Sequence, residues 1–259
     1  MKIKMYQIDA FSDRVFAGNP AAVCPLDQWI DDEVMQHIAQ ENNLAETAFF
    51  VKEPDGYRIR WFTPTKEVDL CGHATLASAY VIFRHLDHGT DKIKFSSESG
   101  PLYVSKESDM IALNFPSLPP VDCQMPEYLI DALRTEPERI MSCNNYFAVF
   151  TSEDQITEIN PDFSLLCKLD LQGVIITSPG KNTDFVSRYF APKYGIPEDP
   201  VTGSAHCTLI PYWSNRLNRA ELTARQISRR GGELFCRDLG DRVNIAGYAV
   251  EYLSGYIEI

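Results

Sequence analysis

One pattern occurs twice in the chain, and it limits the possible folds more than any other feature. Phe62-Thr63-Pro64 leads to Asp69-Leu70-Cys71-Gly72-His73-Ala74, and Phe190-Ala191-Pro192 leads to Asp199-Pro200-Val201-Thr202-Gly203-Ser204-Ala205. Placing Gly72 on Gly203 also places Ala74 on Ala205 and Cys71 on Thr202, with three extra residues after the second FxP. Each copy stands between an alternating, strand-like segment and an apolar, helix-like one. A repeat of a whole supersecondary unit implies duplicated domains. The expected class is α+β: two pseudo-symmetric domains, each an antiparallel, barrel-like β-sheet around a central α-helix, with the two helix starts facing one cleft.

The 259 residues suffice for two domains of the usual ~100–200 residues. Pro116-Ser117-Leu118-Pro119-Pro120 continues neither a strand ladder nor a helix. It separates an expected first domain, 1–117, from a second, 118–259, whose last strand can return to the first. In the first half, period-2 alternation marks strands at KIKMYQIDAF, YRIRWFT, DKIKFSSESG, LYVSKES and MIALNF. A helix is expected over 31–41, started by Asp31 and Asp32, and a nearly all-apolar, buried one over 74–83. The second half is expected to hold helices over 127–133 and 204–217, strands near 145–150, 173–177 and 184–190, and terminal hairpins.

Composition removes several classes of function. No apolar run approaches the ~20 residues that span a bilayer, and the alternating N-terminus lacks the apolar stretch of a signal peptide, so no membrane partner is expected. The seven cysteines are odd in number, scattered and without a CxxC pair, which suits reduced thiols in the cytoplasm. A formal net charge of −12 opposes nucleic-acid binding, which needs clustered Lys and Arg. An anionic substrate then has to be held by local donors such as helix N-termini.

Five ordered motifs, AGNPAAV (17–23), NLAETAFF (43–50), DLCGHATLASA (69–79), EDPVTGSAHC (198–207) and SRRGGEL (228–234), give the chain a resemblance to the PhzF-like family of phenazine-biosynthesis-type isomerases. That resemblance implies the diaminopimelate epimerase-like fold and proton transfer on a small anionic, carboxylate-bearing substrate. It implies neither metal nor organic cofactor, and a homodimer would suit it. Glu46, in the AET segment, takes the place of the family's acid/base. His73, Asp199 and Ser204 take the places of groups that touch substrate or assist the proton.

The residues themselves support a similar reading. Glu46 lies at the start of an apolar strand, where a carboxylate can project from a sheet edge. Gly72 and Ala74, like Gly203 and Ala205, flank helix starts whose backbone N–H groups can approach a carboxylate, each helix end contributing ~0.3–1 kcal/mol. Ser204 can bind substrate or cap its helix. His73 titrates near neutrality. Asp199, extended ahead of Pro200, can orient a substrate or the catalytic groups. Asn19, in a Gly-Asn-Pro turn, is a turn residue with substrate binding as a second role. A zinc site from Cys71, His73, His206 and Cys207 is rejected, because His206 and Cys207 diverge by ~100° on one helix. Two other functions remain open: an amino-acid epimerase using Cys71, opposed by the threonine at position 202, and a non-catalytic small-molecule binder.

Overall fold

The computed structural model describes residues 1–87 and 89–259. The chain forms two compact units, one of Met1–Phe115 with Asn244–Ile259 and one of Pro116–Val243. Residues 244–259, counted with the second half in the sequence, thus belong to the first unit.

The first unit opens with strands β1 (Lys2–Ala10) and β2 (Asn19–Leu26), helix α1 (Asp32–Asn42), and strands β3 (Glu46–Glu53), β4 (Gly56–Phe62) and β5 (Glu67–Val68). Helix α2 (Gly72–Val81) follows, continued by a π-helical turn over Ile82–Leu86, and then β6 (Lys92–Ser97), β7 (Gly100–Glu107) and β8 (Met110–Pro116). Hairpins pair β1 with β2, β3 with β4, β6 with β7 and β7 with β8 antiparallel. Where a helix intervenes the neighbours are parallel, β2 with β3 across α1 and β4 with β6 across α2, as a crossover connection requires.

Helix α2 packs on β1, β2 and β3. All its residues but Tyr80 are buried, which is why its sequence is apolar all round. Its polar side chains turn back on the helix: the Thr75 hydroxyl donates to the Cys71 carbonyl and the Ser78 hydroxyl to Ala74 O. Helix α1 is amphipathic and buries Met35, Ile38 and Ala39 against Phe49 and Phe62. Asp31 stands at its N-cap, but its side chain caps nothing. Asp32 instead pairs with Arg60 at 2.7 Å.

The second unit contains β9 (Val121–Asp122), α3 (Leu129–Leu133), β10 (Arg139–Ser142), β11 (Tyr146–Val149), α4 (Glu153–Glu158), α5 (Phe163–Leu166), β12 (Val174–Pro179), β13 (Phe185–Ala191) and β14 (Ile196–Asp199). It continues with α6 (Gly203–Leu217), β15 (Glu221–Gln226) and β16 (Gly232–Asp238), and the chain ends with β17 (Arg242–Gly247) and β18 (Ala249–Glu258). Its topology repeats the first. β10–β11, β12–β13, β13–β14 and β15–β16 are antiparallel, while β11–β12 are parallel across α4 and α5, and β13–β15 are parallel across α6. Helix α6 takes the part of α2 and buries Gly203, Ala205–Ile210 and Trp213.

Each unit is therefore a mixed sheet about a central helix, and the fold is α+β. β18 closes the first unit by lying antiparallel to β1 from Lys2↔Glu258 to Ala10↔Ala249. Among the described residues, no helix is long and apolar enough to cross a membrane.

Candidate active site

The start of β3, the start of β2 and the N-terminal turn of α2 bring four polar side chains together. Glu46 is the first residue of β3, and its Oε2 lies 3.1 Å from His73 Nε2, with the two side chains 12% and 5% exposed. The other ring nitrogen of His73, Nδ1, lies 3.2 Å from Asn19 Nδ2 and 3.5 Å from Cys71 Sγ. Nε2 thus stands beside the Glu46 carboxylate in ion-pair contact without the alignment of a hydrogen bond, while Nδ1 meets the asparagine amide and the thiol.

Local sequence explains the placement. Gly18 turns the chain with φ +66°, where an added Cβ would meet Ala10 O at 2.2 Å, and so delivers Asn19 into β2. Asn19 is thus not a turn residue. It is fully buried, pairs with Ala10 across the strands and faces the histidine. Cys71 is the extended N-cap residue of α2, with φ −144° and ψ 111°, and the two-residue step to His73 turns both side chains to one side.

The electrostatics follow from burial and this packing. Burial raises the Cys71 thiol, the Glu46 charge adds to it, and His73 only partly offsets them, leaving it at about 11. At neutral pH Cys71 is a thiol, not a thiolate. For His73, burial opposes the charged ring, but Cys71, when ionised, and the Glu46 charge outweigh it and raise the imidazole well above its ordinary range.

Glu46, Cys71 and His73 present metal-ligand atoms within 4.8 Å of one another. Glu46 meets Nε2, however, while Cys71 meets Nδ1. An ion shared by all three would bind one of these ring nitrogens and displace the neighbour of that nitrogen from its present contact.

In the second unit, Asp199 ends β14 and is buried. Its Oδ2 accepts the hydroxyl of Thr202 in a short hydrogen bond. Thr202 is the N-cap residue of α6 but makes no side-chain cap. Ser204 does not fill that role either: it lies inside the first turn and is exposed. Ala74 and Ala205 are buried and Gly72 and Gly203 are buried first residues of their helices. Only backbone groups of these four could meet a ligand.

Two features escaped the sequence. One is Gln226 at the end of β15, whose amide holds both Asp199 and Thr202. The other is the structural part of His206, weighed above only as a zinc ligand: its Nδ1 donates to Thr202 O at 2.8 Å, matching the Thr75–Cys71 bond in the first repeat. Burial pushes the His206 imidazole down to about 4 despite that bond.

A family model described as phenazine biosynthesis-like protein matches residues 8–255. The chain is 50% identical to an uncharacterized isomerase of Pseudomonas aeruginosa, with both chains covered completely. It is also similar to a crystal structure of a PhzF-family phenazine biosynthesis protein from Enterococcus faecalis, with a TM-score of 0.98, 47% identity and complete coverage of both. A hydroxyproline epimerase from Agrobacterium vitis shares the fold at a TM-score of 0.65 and 9% identity, over 99% of this chain and 92% of that one.

Proposed function

The chain belongs to the phenazine biosynthesis-like (PhzF) family and is an isomerase of that family, and from this we propose that Glu46 moves a proton on a small, carboxylate-bearing substrate. The observation that carries the reading is the Glu46–His73 contact at 3.1 Å, on a carboxylate still partly open at the start of β3. Glu46 takes a proton from a substrate carbon and returns it to another position. The His73 ring beside it favours the carboxylate in its charged, basic state while the proton is away. Asn19 holds the ring from behind. Asp199 and Ser204 are assigned to the substrate by the family resemblance. Its carboxylate would be met by backbone N–H groups at a glycine-led helix start, the local donors a chain of net charge −12 requires.

The test is deuterium uptake from heavy water, read by mass spectrometry, on a dihydro-hydroxyanthranilate and on a panel of amino acids and cyclic unsaturated carboxylates. Glu46→Gln should fold as the wild type does and lose at least ~10²-fold in exchange, the lower range for general acid/base catalysis. Retention of more than about a tenth of the wild-type rate would remove Glu46 from this role.

A second reading, an epimerase working through a thiol, is favoured by Cys71 Sγ standing 3.5 Å from His73 Nδ1. The protonated state of that thiol and the threonine at the repeat-related position oppose it. Loss of exchange in Cys71→Ala with retention in Glu46→Gln would select it.

A further inference from the structure

The end of β15 has no part in the chemistry described so far, yet it grips the loop that carries Asp199. Gln226 is 1% exposed and spends its whole amide there. Nε2 donates to Asp199 O at 2.8 Å and to Thr202 Oγ1 at 3.0 Å, while Oε1 accepts the Thr202 N–H at 2.9 Å. A threonine hydroxyl has one proton. Because Thr202 Oγ1 receives a hydrogen from Gln226, its own proton is free to point at the Asp199 carboxylate, and there it goes.

The cost of this arrangement is visible at α6. Thr202 is the N-cap residue, and a threonine there ordinarily satisfies a backbone N–H of the first turn. Here it makes no such bond, its hydroxyl being committed to Asp199. Two residues after Gln226, Ser228 donates to Pro200 O at 2.7 Å and accepts Gly231 N–H at 3.1 Å. Ser228 therefore ties the same loop down by its backbone alone, without touching the aspartate chain.

We infer that Gln226 is a positioning residue that acts through the Thr202 hydroxyl to set the rotamer of the Asp199 carboxylate. Its consequence for the reaction rests on the reading that Asp199 contacts the substrate, but the positioning itself does not. Thr202 thereby has a defined task at the place where the first repeat carries Cys71: it orients a carboxylate.

Four variants separate this from plain loop stapling. Thr202→Val keeps both backbone grips of Gln226 and removes only the hydroxyl, so folding is retained even where Gln226→Met is too unstable to study. Crystal structures of Thr202→Val and Gln226→Met should show the Asp199 side chain in a different rotamer, with Thr202→Ser restoring the original one. In the deuterium assay on the dihydro-hydroxyanthranilate, the first two should lower turnover by about 10- to 100-fold, the range for losing a hydrogen bond to a charged group. Half-saturation should change little, and Thr202→Ser should recover the rate. Ser228→Ala should lower the melting temperature and leave turnover intact.

An unmoved Asp199 in Thr202→Val overturns the inference whatever the substrate proves to be, and so does an equal loss of turnover in Ser228→Ala. A rotated Asp199 with undiminished turnover supports the positioning and instead removes Asp199 from the proposed reaction.

Discussion

The His206 ring is sealed beneath the first turn of α6, its Nδ1–H given to Thr202 O and its face toward Phe185. Burial lowers its imidazole to about 4, while in the unfolded chain it titrates near 6.5. The unfolded state therefore binds the extra proton between those values, so the stability His206 brings is complete above about pH 6.5 and is lost as pH falls toward 4. The difference amounts to about 3 kcal/mol. Urea midpoints measured across pH 4–7 should fall on the acid side, and His206→Gln should flatten that fall; an unchanged pH slope in the variant would show the ring is not the sensor. Residues differed sharply in how readable they were. Glu46 and His73 lie inside motifs, and the structure brings their side chains together. Gly-Asn-Pro reads as turn chemistry, whereas the turn ends at Gly18 and Asn19 is already in β2. Gln226 gave no signal, because a lone glutamine at a strand end looks alike whether it faces water or grips a loop 24–27 residues upstream.

Among the elements, α4 depends on a side chain from the neighbouring sheet. Arg188 of β13 donates Nη1 to the carbonyls of Ile156 and Ile159, at 2.9 and 2.6 Å, which closes the C-terminal end of that short helix. Its Nε and Nη2 form a fork on Glu198 at 2.7 and 3.0 Å, which fixes the strand carrying Asp199. Replacing it with methionine leaves a half-buried carboxylate and two carbonyls without donors, and should cost about 2–4 kcal/mol in chemical denaturation. Lysine should recover little, because an ammonium cannot serve a fork and two carbonyls together. A loss under about 0.5 kcal/mol for Arg188→Met, the size of an ordinary surface change, would show that the arginine is decorative. The same scale explains which elements the sequence announced. The long helices α1, α2 and α6 carry an amphipathic or fully apolar stripe and were placed within two residues at their starts. Helices α4 and α5 have six and four residues, too few for a 3.6-residue period to show. Their beginnings rest on single caps, Ser152 and Asp162.

For the molecule as a whole, the repeat correctly implied a sheet about a central helix made twice, but the parallel β2–β3 and β11–β12 pairs were invisible to it. Strand pairing across a helical crossover is non-local and leaves no alternation of its own. The first unit also depends on its last strand. β18 lies antiparallel along the whole length of β1, so deleting Ala249–Glu258 exposes the entire edge of the strand that carries buried Ile3, Tyr6 and Ile8. Hydrogen exchange should then show β1 and β2 losing protection, while the amides of β12, β13 and α6 keep theirs; uniform loss through both units would refute that separation. The pairing has a further consequence during translation. β1 leaves the ribosome about 240 residues ahead of its partner β18, a wait of roughly 10–50 s at ~5–20 residues per second. The Pro116–Val243 unit is one continuous stretch and is synthesised completely within that wait. Strand β1 is thus made long before it can finish folding, and until β18 arrives the nascent chain carries an open β-edge that a chaperone would be expected to shield.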